Sequence, residues 1–115
     1  MTLNEYQKAS ERTSGDLTPY QKVQNGCYGM NGEAGECIDI LKKHEFQGHP
    51  FNSDKMLDEL GDVLWYIAQT ATGLGVTLDD VAQHNIDKLK KRYPDGFDAE
   101  RSVHRSEYEG GAVNV

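Results

Sequence analysis

One run of apolar residues repeats at helical spacing and leaves little choice of fold class. Leu57, Leu60, Leu64, Ile67, Ala71 and Leu74 fall alternately three and four apart, the pattern that keeps one stripe of an α-helix apolar. Val23, Cys27, Met30, Ala34, Cys37 and Leu41 follow the same alternation earlier in the chain, and Leu78, Ala82, Ile86, Leu89 and Tyr93 form a third apolar face. No stretch alternates apolar and polar residues as a half-buried strand does. The expected fold class is all-α, a bundle of four to five helices.

Caps and breakers place the helix ends. A first helix is expected from Leu3 to about Thr13. Thr18-Pro19-Tyr20-Gln21 supplies an N-cap, a proline at the first helical position and a glutamine three residues after the cap, so a second helix opens there and is predicted to reach about Lys43. Gly26, Gly29, Gly32 and Gly35 lie inside it. Each weakens the helix by roughly 1 kcal/mol relative to alanine, which calls for a close neighbouring backbone or a ligand as the reason. Residues 44–53, with Gly48 and Pro50, read as a linker in which Phe46 and Phe51 either fold back as a lid or cover a bundle end. The third helix should run from Asn52 or Ser53 to about Leu74, stopped by Gly73 and Gly75. The fourth opens at Thr77-Leu78-Asp79-Asp80 and ends before Pro94, because the residue preceding a proline is pushed out of the α region. Residues 1–98 therefore read as a single domain. Residues 99–115 read as a tail, partly flexible or packed on a neighbouring subunit, with one more helical turn between Ala99 and His104.

With 115 residues, 37% of them hydrophobic, the chain can form one small core and little more. A net charge of -7 and a pI of about 4.9 argue against nucleic acid or an anionic membrane as partner. No apolar run approaches membrane-spanning length, and the N-terminus has no apolar leader segment. The expectation is a soluble cytoplasmic protein. Cys27 and Cys37 lie on one predicted helix, about 15 Å apart along its axis, too far to bridge each other.

The chemistry concentrates in two acidic pairs. Glu33 and Glu36 are three residues apart on the second helix, and Glu59 and Asp62 are three apart on the third; each pair shares one side of its helix, a turn apart. Either motif alone is ordinary for a solvated helix face. At about 100° per residue, however, both pairs sit about 90 to 150° from their own seams in the same sense, and roughly 10 Å from the linker. An antiparallel hairpin would bring them level, close enough to share a divalent cation. A set of carboxylates without histidine favours a hard ion, Mg²⁺ or Mn²⁺. His44, His49, His84 and His104 have no zinc spacing with the cysteines. On the fourth helix Asn85, Lys88 and Arg92 are three and four apart and share a stripe, either as counter-ions or as a grip on phosphate oxygens. Tyr6, Tyr28, Trp65 and Tyr66 are the aromatic residues available for a base, or for the core.

Glu33-Ala-Gly-Glu36, twenty-two intervening residues, Glu59-Leu-Gly-Asp62-Val-Leu-Trp-Tyr66 and then Asn85-Ile-Asp-Lys88-Leu-Lys-Lys-Arg92-Tyr-Pro94 resemble the MazG-like nucleoside triphosphate pyrophosphohydrolases of the all-α superfamily. The resemblance spans about Tyr20 to Phe97. It implies a helical bundle assembled as a homodimer or dimer of dimers, and hydrolysis of a nucleoside triphosphate to monophosphate and pyrophosphate. It further implies that Glu33, Glu36, Glu59 and Asp62 hold Mg²⁺ and that Asn85 and Lys88, with Arg92 as a weaker transfer, face the nucleotide. Glu33 or Glu36 would act as base. Two alternatives stay open: dUTPase-like or phosphoribosyl-ATP pyrophosphatase chemistry on the same scaffold, and a non-catalytic helical module whose acids bind a structural metal.

Overall fold

The computed structural model describes residues 1–105, which form helices α1 (Leu3–Ser10), α2 (Pro19–Phe46), α3 (Ser53–Leu74), α4 (Leu78–Arg92) and α5 (Ala99–Val103), with a short 3-10 helix at Glu11–Thr13. The expected all-α architecture holds. Thr18 caps α2 as predicted, accepting from the Gln21 amide while the Gln21 side chain accepts from the Thr18 amide. Thr2 and Glu5 make the same reciprocal cap on α1, a signal the sequence reading passed over. Asn52 caps α3, and Gly75 ends it in the left-handed conformation at φ 76°, which glycine adopts without penalty. Helix α2 runs three residues beyond the predicted end at Lys43, through Phe46. Residues 106–115, most of the expected tail, lie outside the described residues.

The chain divides into two compact units, Met1–Leu78 and the segment from Asp79 onward. In the first, α2 and α3 lie antiparallel along each other, with α1 against α3. Their joint is built on missing side chains. A Cβ placed on Gly26 would collide with the Thr70 hydroxyl and stand 2.9 Å from the Tyr66 carbonyl oxygen. One on Gly29 would enter the Tyr66 ring, and one on Gly73 would stand 2.6 Å from the Pro19 carbonyl oxygen.

Two expectations are corrected here. Helix α2 turns its glycine face to α3, so Gly26 is buried while Cys27, Ala34 and Leu41 of the predicted seam are exposed. On α3, Ala71 is buried and Leu64 and Ile67 are half-buried, but Leu57, Leu60 and Leu74 are exposed. The apolar pattern located the helices and the middle of the α3 seam correctly and misjudged which side of α2 faces α3, because the closest contact is made where a side chain is absent. The glycines themselves divide: Gly26 and Gly29 meet α3, whereas a Cβ on Gly32 or Gly35 would meet nothing among the described residues within 4 Å.

The core of this unit is small: Ala68, Ala71 and Leu78, with Tyr6, Leu64, Ile67 and Val76 packed against them. Buried amides tie it together. The Gln7 amide donates to Thr72 Oγ1 (3.1 Å) and the Val76 carbonyl (3.0 Å), and its oxygen accepts the Leu78 N–H at 2.6 Å. Leu78 is the first residue of α4, so Gln7 satisfies one of the amides that a helix start leaves without an intrahelical partner. Asn25 donates to Gln69 across the helix pair at 2.6 Å, and Gln69 donates to Ser14 at 3.3 Å.

The second unit holds α4 and α5. Asp98 caps α5, its side chain accepting from the Glu100 and Arg101 amides, and the Tyr93 and Phe97 rings lie 5.4 Å apart beside the Pro94 turn.

Candidate functional site

The antiparallel pairing brings the acidic motifs together in the half of the hairpin nearer the linker. Glu33 from α2 and Glu59 and Asp62 from α3 each place a carboxylate oxygen within 4.8 Å of the others. Glu33 and Glu59 are half-buried and Asp62 is exposed. Carboxylates this close repel in water and more strongly where solvent is partly excluded.

Glu59 carries the consequence. A shared hydrogen bond with Glu33, partial burial, and the charges of Glu33, Asp62 and Glu36 together hold its carboxyl above the ordinary glutamate value. Its Oε2 atom is cut off from solvent and accepts no hydrogen bond from the described residues. Two ionised carboxylates cannot donate to one another, so the pair needs either a proton or a cation between its oxygens. Three converging oxygens from rigid helices, one of them without a donor, are the donor set a hard divalent cation takes.

Of the four predicted acids, Glu36 stands outside the converging trio. It is exposed, its charge acts on Glu59, and together with Glu59 it borders a cavity of about 650 Å³ at the α2–α3 linker. Asn85, Lys88 and Arg92 lie on α4, in the second unit, with Asn85 and Lys88 exposed and Arg92 half-buried. Arg92 also stacks its guanidinium toward the Tyr93 ring at 5.9 Å.

Around the trio the aromatic residues have structural duties. Trp65 donates its indole N–H to Thr13 Oγ1 at 3.0 Å and meets the Tyr66 ring edge-on at 5.0 Å, while Tyr66 fills the space over Gly29. Burial and then the Asp62 charge push the Tyr6 hydroxyl above its usual pKa. Tyr28 is exposed.

The cavity was missed in the sequence. Its walls include Lys43 and Lys55, together with Phe51 from the linker. Lys55 lies four residues before Glu59, hence on the same face of α3, and that spacing was the available signal. Lys43 bonds Asp39 at 2.9 Å; the contact lowers the Asp39 carboxyl and raises the Lys43 ammonium from their usual values.

The family model for the MazG nucleotide pyrophosphohydrolase domain matches residues 21–97, which contain both acidic motifs and the whole of α4. The chain is also 37% identical over 101 residues to the Gene 37 protein of Mycobacterium phage L5, covering 80% of this chain and 89% of that protein. No solved structure matches with significance. Among the described residues no helix is long and apolar enough to cross a membrane.

Proposed function

The chain belongs to the MazG nucleotide pyrophosphohydrolase family, and from that premise we propose that it hydrolyses a nucleoside triphosphate, NTP or dNTP, to the monophosphate and pyrophosphate with Mg²⁺ as cofactor. The observation that carries the proposal is the convergence of Glu33, Glu59 and Asp62 from two helices, with one Glu59 oxygen lacking a donor among the described residues. Bound there, Mg²⁺ supplies neutralisation of phosphoryl oxygens and a more acidic water.

The chain's own carboxylates divide the remaining work. Glu33, Glu59 and Asp62 hold the cation. Glu36, adjacent to them and exposed, keeps a carboxylate available to accept the proton of the attacking water. Lys88 and Arg92 are the cations proposed to meet the phosphate chain, with Asn85 on the same stripe of α4 as an orienting amide. The acting species is a homo-oligomer, dimer or dimer of dimers, in the cytoplasm. Support for self-association comes from the small core and from Ile38, Leu41, Leu57 and Leu60, large apolar side chains exposed on the two longest helices. A single chain covering so little of its apolar surface favours burial against another copy.

The experiment is a panel of NTPs and dNTPs with Mg²⁺, in which pyrophosphate and orthophosphate are measured separately and a Glu59→Gln variant serves as control. Pyrophosphate in step with monophosphate is expected, reduced at least about 100-fold in the variant with helicity retained. Orthophosphate as the sole product, or undiminished turnover by Glu59→Gln, overturns the reading. Loss of folding in the variant would assign the acids a structural role.

A further inference from the structure

The cavity beside the acids continues the site in one direction. Glu36 and Glu59 stand at one end of it, and from there it extends between the last turns of α2 and the first turns of α3 to the linker. At about 650 Å³ it lies in the range of pockets that take small organic ligands. A nucleotide whose phosphates lie at Glu59 therefore has room for its nucleoside end on this side.

The lining decides which end of the substrate belongs there. Ile40, Pro50 and Phe51 supply apolar surface. Phe51 is 48% exposed and meets the His44 ring edge-on at 5.8 Å, which leaves ring surface for stacking. Asp54 and Asp58 sit four apart on one side of α3, and both line the cavity. Neither makes a hydrogen bond to another described side chain, whereas the cavity's Asp39 is occupied by Lys43. An aromatic ring beside unoccupied carboxylates suits a flat group that carries N–H donors. It suits pyrophosphate poorly, since two lysines face five acids along these walls.

We propose that this cavity receives the nucleobase, with Phe51 stacking on it and Asp54 or Asp58 accepting from an exocyclic amine, so that nucleotides whose base carries such an amine, cytosine and adenine among them, are preferred to uracil or thymine nucleotides. The amine of cytosine or adenine donates where uracil and thymine present a carbonyl oxygen. A carboxylate set against that exocyclic position accepts from the first and repels the second. The assignment rests on the nucleotide-hydrolase reading, but its test does not need turnover.

Titrate the full chain with CMP, AMP, UMP and TMP in Mg²⁺ by calorimetry, and repeat with Phe51→Ala, Phe51→Trp, Asp54→Asn and Asp58→Asn, monitoring helicity throughout. CMP and AMP should bind about tenfold more tightly than UMP and TMP. Phe51→Ala should weaken every nucleotide by about tenfold, the stacking contribution, and Phe51→Trp should restore it. One aspartate variant should narrow the base preference while leaving UMP affinity unchanged. Equal affinity for the four nucleotides, no effect of Phe51→Ala, or no binding at all overturns the assignment. Weakened binding of inorganic pyrophosphate on Phe51→Ala and Lys55→Ala, with base preference intact, overturns it in favour of the leaving group. Pyrophosphate release without discrimination would sink this inference and keep the enzyme, while selective binding without turnover would do the reverse.

Discussion

The two halves of the α2–α3 hairpin are built on opposite rules. In the half away from the linker, the helices close on Gly26, Gly29 and Gly73, and Ala68, Gln69 and Ala71 are buried. Gln7 and Asn25 place amide hydrogen bonds across the helices. In the half near the linker, Gly32, Gly35 and Gly61 face open space. Ile38, Leu41, Leu57 and Leu60 are exposed, and three carboxylates crowd together. The first half is where this small unit obtains its stability. The second spends stability on charge repulsion and exposed apolar surface, as the proposed metal site and the proposed self-association would both require.

The contrast is tested most strongly at Gly26. Alanine has the better helix propensity by about 1 kcal/mol, so on propensity alone Gly26→Ala should stabilise. Its Cβ would instead press on the Thr70 hydroxyl and on the Tyr66 carbonyl oxygen, and a backbone carbonyl inside a helix cannot yield as a flexible side chain can. The expected result is a net loss of about 2 kcal/mol, read as a lower midpoint in urea unfolding at constant slope. An unchanged or raised midpoint would mean that the joint is looser than its geometry.

How much of this was legible in the sequence follows the same division. The acids were readable because Glu33, Glu59 and Asp62 are ordinary side chains at fixed helical spacing, and level and angle could be worked out from the linker. The seam on α2 was not, because counting apolar side chains gives weight to Cys27, Ala34 and Leu41 and none to Gly26, whose contribution is the absence of a side chain. Lys55 was visible four residues before Glu59, but a lysine beside acids on a helix reads first as a counter-ion. The cavity depends on the path of Gly48, His49, Pro50 and Phe51 across the bundle end, which no local pattern encodes. Gln7 carried no signal either: its role joins residues more than sixty positions apart.

The charge crowding gives a pH-dependent difference between the halves. Because the Glu59 carboxyl is raised in the fold by its hydrogen bond with Glu33 and by burial, the native state holds that proton more tightly than the unfolded chain. Glu59's contribution to the stability of the metal-free protein is therefore fully present below the ordinary glutamate range and is lost as pH rises through the folded value. Asp39 contributes with the opposite sign: lowered by Lys43, it stabilises above the ordinary carboxylate range and loses that contribution as pH falls. A cation on the trio replaces the proton, so the increase in melting temperature produced by Mg²⁺ should grow between about pH 4 and pH 8. In Glu59→Gln this growth should be largely lost. An Mg²⁺ increment of one size across that range would show that the trio is not where the ion acts.

The smallest effect expected has the sharpest sign. Gly32→Ala makes the same chemical change as Gly26→Ala, six residues further along the same helix, at a position where a Cβ meets nothing within 4 Å. Propensity then acts unopposed, and the variant should be more stable by about 1 kcal/mol, a rise in melting temperature of about 4–8 °C for a unit of this size. The same measurement carries a second test, because Gly32 adjoins Glu33. If another copy of the chain or a substrate approaches α2 closely at this point, the added methyl group should lower turnover or weaken association even as the helix is strengthened. Stabilisation with full activity would confine the need for glycine on α2 to the tightly packed half, where Gly26 and Gly29 meet α3.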